Sequence, residues 1–171
     1  MNISIVLPAK NESAAIVQTL AQIQQLQLAH EIIVVNDGST DHSRHELTQL
    51  QKEVKNIMIY NQDNQGAAAS RNFGLAAMSD DVEAFMFLDA DDEFLPSRID
   101  FMADYYQQDD NVDIVIGQIG REKDGDWQTI YSHQAIQKLD KVNLAQCPDM
   151  MQSIGPGAKM FNAKFADLQI G

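Results

Sequence analysis

The sequence has little positive charge. It carries 12 Lys and Arg residues against 25 Asp and Glu residues, which gives a formal net charge of −13 at pH 7. Nucleic acids and anionic lipid surfaces both attract proteins through clustered Lys and Arg, so this balance argues against either partner. A ligand that carries phosphates would also be repelled, unless a divalent cation lies between it and the protein.

Cysteine and long apolar runs are also scarce. Cys147 is the only cysteine, which excludes an intrachain disulfide and favours a reducing compartment, so we expect a cytoplasmic protein. No stretch approaches the roughly 20 apolar residues of a membrane span. Met1 leads directly into a strand pattern without the basic segment of a signal peptide. The length of 171 residues is sufficient for one domain with a proper core.

The sequence does contain a regular alternation of strand and helix patterns. Short apolar or β-branched runs predict five strands, with residues at helical spacing between them. The predicted strands are Ile3–Leu7, which Pro8 is expected to end, Glu31–Val35, Ile57–Tyr60, Ala84–Leu88 and Val112–Ile116. This alternation favours an α/β fold, with a mostly parallel central sheet flanked by helices on both faces. Beyond Gly117 the pattern weakens to a polar hairpin or loop over 120–127, a helix over 134–144 and a short strand over 158–161.

The most informative feature is Asp89-Ala90-Asp91, which follows the fourth predicted strand. Open α/β sheets bind ligands at the carboxyl ends of their strands, and residues i and i+2 of an extended segment point the same way. Asp89 and Asp91 would then aim two carboxylates at one point, forming a hard oxygen site suited to Mg²⁺ or Mn²⁺. The alternative is an acidic loop that only caps the following helix.

Three more segments end at the same predicted edge, namely Pro8–Glu12, Asn36–Asp41 and Asn64–Asn72. In the second of them, Asp37 would accept hydrogen bonds from a base imide or a ribose. The alternative for Asp37 is a turn residue, which is common in the sequence Asn-Asp-Gly-Ser.

The third segment opens a helix with small residues, Gly66 to Ala69, and then presents Arg71. Small side chains let a ligand approach the backbone, and a helix N-terminus attracts phosphate. Arg71 adds a permanent charge with bidentate donors. The alternative is that the alanines are simply good helix formers and that Arg71 is a solvated surface residue.

In this order and spacing, the segments resemble the family 2 glycosyltransferases of the GT-A fold. The matching residues are Ser4–Glu12, Glu31–Asp41, Asn64–Asn72 and Phe87–Asp92. The resemblance implies a nucleotide-diphospho-sugar donor, usually a UDP-sugar, and metal-dependent transfer to the hydroxyl of a saccharide or polyol-type acceptor with inversion. It is also consistent with a role in cell-surface polysaccharide synthesis.

The resemblance also implies a role for each site residue. The nucleoside would lie against Pro8, Ala9 and Glu12, with its base at Asp37 and its ribose at Asp89. Arg71 would lie near the phosphates. Asp91 would hold the Mn²⁺ or Mg²⁺ that bridges the diphosphate.

One departure from the family concerns the catalytic base. The family places an acidic pair after a segment like Gly157–Asn162, and here that pair is expected just past Gly171. We therefore expect a chain truncated at its C-terminus that binds the donor without transferring sugar. Residues 1–117 would form the nucleotide-sugar-binding half, and residues 118–171 the incomplete start of the acceptor-binding part of the same domain.

Two other functions remain open at this stage. One is a non-catalytic nucleotide-sugar-binding module. The other is a sugar nucleotidyltransferase, which would need a Gly-rich basic loop after the first strand to hold a triphosphate. The segment Pro8–Glu12 contains no glycine, which disfavours that chemistry.

Overall fold

The computed structural model describes residues 1–25, 29–92, 94–129, 141–143, 145 and 157–167. Strands and helices alternate through most of this part of the chain. The strands are β1 (Ile3–Ala9), β2 (Ala29–Asp37), β3 (Ile57–Gln62), β4 (Ala84–Phe87), β5 (Ile114–Ile116), β6 (Gly120–Lys123), β7 (Asp126–Thr129) and β8 (Lys159–Asn162). The helices are α1 (Ser13–Ile23), α2 (Ser43–Glu53), α3 (Ala67–Ala76) and α4 (Pro96–Gln108), and a 3-10 turn covers Ala163–Phe165.

Six of the strands form one central sheet in the order β3-β2-β1-β4-β8-β5. The pairs β3–β2, β2–β1 and β1–β4 are parallel. Strand β8 runs antiparallel between β4 and β5. The prediction of an α/β fold with a mostly parallel sheet is confirmed, and one reversed strand near the end of the described chain separates β4 from β5.

Side chains alternate between the two faces of the sheet, and each face has its own apolar core. The first core contains Ile5 and Leu7 of β1 and buries residues of α1, α2 and α4, such as Leu20, Leu47 and Met102. The second contains Val6, Ile33 and Phe87 and packs against Leu75 of α3 and the 3-10 turn. Helices therefore cover both faces, as predicted from the alternation.

Helix α3 lies very close to β1, and Gly74 makes this approach possible. A Cβ atom placed on Gly74 would lie 2.3 Å from Cγ1 of Val6, which is far inside van der Waals contact. The absence of a side chain at Gly74 thus sets the distance between α3 and the sheet, and with it the position of the N-terminal end of α3.

Some predicted boundaries were wrong. Pro8 does not end β1, which continues to Ala9. The carbonyl of Val6 accepts from the N–H of Leu88, so the even-numbered residues of β1 direct their backbone groups towards β4. The ladder between β1 and β4 ends at the Val6–Phe87 pair. Pro8 lies beyond that pair, so the N–H that proline lacks would have no partner on β4.

The C-terminal part agrees with the predictions where the structure describes it. Strands β6 and β7 form the expected hairpin, and β8 covers the short strand predicted over 158–161. The helix predicted over 134–144 falls largely outside the described residues. No helix in the described part of the chain has the length and apolar character needed to cross a membrane.

Candidate functional site

The carboxyl ends of β1, β2 and β4 and the start of α3 surround one cleft of about 350 Å³. All seven predicted site residues line it, namely Pro8, Ala9, Glu12, Asp37, Arg71, Asp89 and Asp91. They come from four segments that are far apart in sequence. The sequence prediction that these segments converge on one edge of the sheet is therefore matched by the geometry.

The loop after β1 is fixed by the loop after β2. Asn11 adopts a left-handed conformation with φ 56°, and its side-chain oxygen accepts from the backbone N–H of Thr40 at 2.8 Å. In return, the hydroxyl of Ser39 accepts from the N–H of Asn11, and that of Ser43 from the N–H of Glu12, both at 3.0 Å. Ala9 and Glu12 are thus held at the cleft by the neighbouring loop.

Asp37 fixes the loop that precedes α3. Its carboxylate accepts from the side chain of Gln62 at 2.7 Å and from the backbone N–H groups of Gln65 and Gly66, each at 2.8 Å. Asp37 is buried, and burial by itself raises the pKa of a carboxyl group. The three hydrogen bonds and the charge of Lys10 outweigh burial, so the pKa of Asp37 lies below its usual value of 3.8.

The local turn after β2 is made by a different residue. The side chain of Asn36 accepts from the N–H of Ser39 at 3.2 Å, whereas the bonds of Asp37 reach residues in another loop. Gly38 has φ +68°, and a Cβ on it would lie 2.8 Å from the backbone nitrogen of Asn64. The simple turn-residue interpretation therefore fits Asn36 and Gly38 better than Asp37.

Arg71 is a residue of α3, and its side chain reaches the loop after β4. Its Nη2 group donates to Oδ1 of Asp89, and its guanidinium carbon lies 5.9 Å from the ring centroid of Phe87. The Arg71 side chain is 13% exposed, so it is not the solvated surface residue that the alternative interpretation described, while Asp89 is 48% exposed. Arg71 thus offers a charge held in place from two sides.

The Asp89–Asp92 segment is not extended, contrary to the expectation from the i, i+2 rule. Strand β4 ends at Phe87, and the N–H of Asp92 donates to the carbonyl of Asp89 at 3.0 Å in a turn. The hydroxyl of Thr19 on α1 donates to the carbonyl of Ala90 at 2.7 Å. This turn, anchored to α1, still places both Asp89 and Asp91 on the cleft.

The acidic turn also affects Asp92. Burial raises the pKa of Asp92, and the neighbouring carboxylates of Asp89 and Asp91 raise it further. Asp92 lines a smaller cavity of about 60 Å³ beneath the turn, which it shares with Asp91 and Gln22.

The residues present fit only one kind of metal site. Among the described residues, no three His, Cys, Asp or Glu side chains are gathered in a way that could hold a metal ion. Asp91 nevertheless lies exposed on the cleft, and Mg²⁺ is commonly bound by one or two carboxylates together with substrate phosphates. The donor set therefore suits a cation shared with a phosphate ligand, and it does not suit a cation held by this chain alone.

The start of α3 supplies uncharged donors. Gly66 precedes the helix with φ 91°, and the first intrahelical bond runs from the N–H of Ser70 to the carbonyl of Gly66. The N–H groups of Ala67 to Ala69 therefore have no partner within the helix. Gly66, Ala67 and Ser70 all line the cleft, so a phosphate there would meet the positive end of the helix.

Several residues that line or support the cleft were not among the predicted site residues. Lys10, Asn64 and Ser70 line the cleft, and Gln62 supports Asp37 from behind. Lys10 and Asn64 occur inside the matching segments, so their position beside the predicted residues was the available signal. Gln62 gave no signal, because its role depends on the pairing of β2 with β3.

Known proteins resemble this chain along most of its length. The sequence model of the family described as "Glycosyl transferase family 2" matches residues 4–167. The protein named "Putative glycosyltransferase TagX" of Staphylococcus aureus (strain MRSA252) is 32% identical over 173 residues, which cover 99% of this chain and 49% of TagX. The chain thus spans about half the length of this curated relative.

Solved structures show the same fold. S. aureus TarS 1-349 in complex with UDP-GlcNAc superposes with a TM-score of 0.81 at 19% identity, covering 100% of this chain and 49% of that one. Glucosyl-3-phosphoglycerate synthase from Mycobacterium tuberculosis, in complex with Mn²⁺, UDP and phosphoglyceric acid, has a TM-score of 0.63 at 20% identity. It covers 96% of this chain and 56% of that one. At these identities the likeness establishes the fold.

Proposed function

The chain belongs to glycosyl transferase family 2, and from this premise we propose that its cleft binds the nucleotide diphosphate of a UDP-sugar. The protein would transfer the sugar to an acceptor hydroxyl with inversion. The observation that carries the proposal is that seven residues from four distant segments line one cleft at the carboxyl edge of the sheet. The UDP complexes of the two structural neighbours support the choice of nucleotide.

The nucleoside would lie against Pro8, Ala9, Glu12 and Asp37. Asp37 is an ionised acceptor at the cleft, and its Oδ2 atom takes one bond, from Gly66. A carboxylate oxygen has two lone-pair sites, so Oδ2 retains the capacity to accept the imide N–H of a uracil. A charge-assisted bond of this kind favours a base that presents a donor at that position.

The diphosphate would lie between the start of α3 and the acidic turn. The residues that line the cleft include two cations, Lys10 and Arg71, against the carboxylates of Glu12, Asp37, Asp89 and Asp91. This excess of negative charge repels a bare diphosphate. We propose that Asp91 would hold Mn²⁺ or Mg²⁺, which would supply positive charge for the diphosphate and Lewis-acid stabilisation of the leaving group.

The acceptor half of the reaction needs a general base. Transfer requires a carboxylate within hydrogen-bond reach of the acceptor hydroxyl. We give this role to none of the cleft residues, and a base beyond Gly171 stays a prediction, as does an acceptor-binding role for residues 118–171. A saccharide or polyol-type acceptor, as in cell-surface polysaccharide synthesis, is part of the same proposal.

Calorimetric titration with UDP, GDP and dTDP, each with and without Mn²⁺, tests the proposed function. We expect UDP to bind most tightly and only weakly without the metal. UTP serves as the comparison for a nucleotidyltransferase, which would prefer the triphosphate. Absence of UDP binding at millimolar concentration in the presence of Mn²⁺ would contradict the proposal.

A further inference from the structure

Gln62 is the last residue of β3 and stands opposite Asp37 in the β2–β3 ladder. Its amide nitrogen donates to Oδ1 of Asp37 at 2.7 Å and to the hydroxyl of Ser70 at 3.2 Å. The hydroxyl of Ser70 donates in turn to the carbonyl of Gly66 at 3.1 Å. Gln62 is therefore joined both to the end of β2 and to the first turn of α3.

These contacts fix how the Asp37 carboxylate is presented to the cleft. Oδ1 of Asp37 takes bonds from Gln62 and from the N–H of Gln65, while Oδ2 takes one from the N–H of Gly66. The two backbone N–H groups hold one oxygen each, and the Gln62 amide adds a second bond to Oδ1 that restricts rotation of the carboxylate further. Asp37 lines the cleft and Gln62 does not appear among the residues that line it, so Gln62 acts from behind.

Cohesion between the strands does not by itself require the Gln62 amide. The neighbouring pair, Asn36 and Asn61, already joins the ends of β2 and β3 through a 2.8 Å bond between their side chains. The backbone ladder also continues through Asn36–Asn61 to Asp37–Gln62. A second side-chain bridge that ends on a cleft carboxylate points to orientation of that carboxylate as its main effect.

We propose that Gln62 is a positioning residue that sets the affinity of the cleft for the nucleobase by orienting Asp37, without touching the ligand. This inference rests on the proposed function, because it assigns the Asp37 end of the cleft to the base. Binding of the nucleoside and binding of the diphosphate then depend on different residues. Gln62 governs the nucleoside. The start of α3 keeps its own bond from Ser70 to the carbonyl of Gly66 without Gln62, so the diphosphate depends on Arg71, Asp91 and that helix start.

The test compares two probes on three proteins. Binding of uridine is followed by NMR chemical-shift titration, and binding of Mn²⁺-pyrophosphate by calorimetry. The proteins are the unaltered chain, Gln62→Met, which keeps side-chain length without the donors, and Gln51→Met as the matched control on the exposed surface of α2. We expect Gln62→Met to weaken uridine binding roughly tenfold and to leave Mn²⁺-pyrophosphate binding unchanged.

Gln62→Asn provides a second variant if the methionine disturbs folding, since it keeps a polar amide that is one methylene too short to maintain the 2.7 Å contact. The same selective loss of uridine affinity is expected. Unchanged uridine binding, or equal loss for both probes, overturns the inference. If the unaltered chain binds neither probe, the proposed function itself fails, which distinguishes the two failures.

Discussion

Asp37 joins the end of β2 to residues that are distant in the chain. Its place after a predicted strand, in the sequence Asn-Asp-Gly-Ser, marks it as a candidate ligand contact. Its hydrogen-bond partners Gln62, Gln65 and Gly66 lie 25, 28 and 29 residues further along the chain, so no local pattern reveals them. The bonds that hold the loop before α3 were therefore not predictable from the sequence, and contact of Asp37 with a ligand stays a prediction.

We predict that Asp37→Asn destabilises the fold by about 1–3 kcal/mol at pH 7, because a buried ionic acceptor for two backbone N–H groups is lost. The pKa of Asp37 is lowered in the folded state from 3.8. Its stabilisation is therefore fully present above pH 3.8 and is lost as the pH falls through the lowered value. The difference between the two proteins should narrow in that acid range.

Urea unfolding of both proteins at pH 7 and in the acid range checks this prediction. Asp80→Asn, at an exposed position, is the matched control and should change stability very little at either pH. A constant difference between Asp37→Asn and the unaltered chain across the whole range would show that the charge of Asp37 does not stabilise the fold.

At the scale of elements, the parallel part of the sheet was predictable, while the antiparallel pairing of β8 between β4 and β5 was not. The runs that became β1, β2 and β4 are apolar and bounded by polar turns, as expected of strands buried on both faces. Strand β8 has four residues, Lys159–Asn162, and nothing in so short a segment indicates that it inserts between β4 and β5. Its direction is set by packing of the whole sheet.

The approach of α3 to β1 yields a prediction about Gly74. Gly74→Ala should destabilise the protein by about 1–3 kcal/mol through overpacking, although alanine favours a helix by about 1 kcal/mol. The cost of overpacking exceeds the gain in helix propensity, because the added Cβ would lie 2.3 Å from Cγ1 of Val6. Helix α3 must then move away from the sheet.

A double-mutant cycle with Val6→Ala isolates this cause, since it removes the atom in conflict. In that background Gly74→Ala should be neutral or stabilising, and unfolding free energies from urea denaturation give the coupling between the two positions. Additive effects of the two substitutions would show that crowding against Val6 is not the reason for the glycine.

At the scale of the whole molecule, the net charge of −13 controls how an anionic ligand arrives. Without a divalent cation, the protein and UDP repel one another, and salt screens that repulsion. We predict that raising ionic strength from low to physiological salt strengthens metal-free UDP binding by roughly threefold. NMR titration measures this change, and uridine, which has no charge, serves as the control that should not respond.

Metal-free UDP binding that weakens as salt is added would show that the local cations Lys10 and Arg71 dominate over the charge of the whole chain.

The sign of the net charge was known from the sequence alone, which also suggested that a cation is needed. The sequence could not show that Asp89 is engaged by Arg71, because that pairing depends on the packing of α3 against β1 and β2. Asp91, which the family resemblance places on the metal, stays the carboxylate that we propose to hold it.

Binding of Mn²⁺ itself tests the metal assignment most directly. It is measured by the loss of the electron paramagnetic resonance signal of the free ion. We predict little Mn²⁺ binding by the chain alone, strong binding when UDP is added, and loss of that UDP-dependent binding in Asp91→Asn but not in Asp80→Asn. UDP-dependent Mn²⁺ binding that persists in Asp91→Asn would contradict the assignment of the metal to Asp91 and the arrangement of the diphosphate built on it.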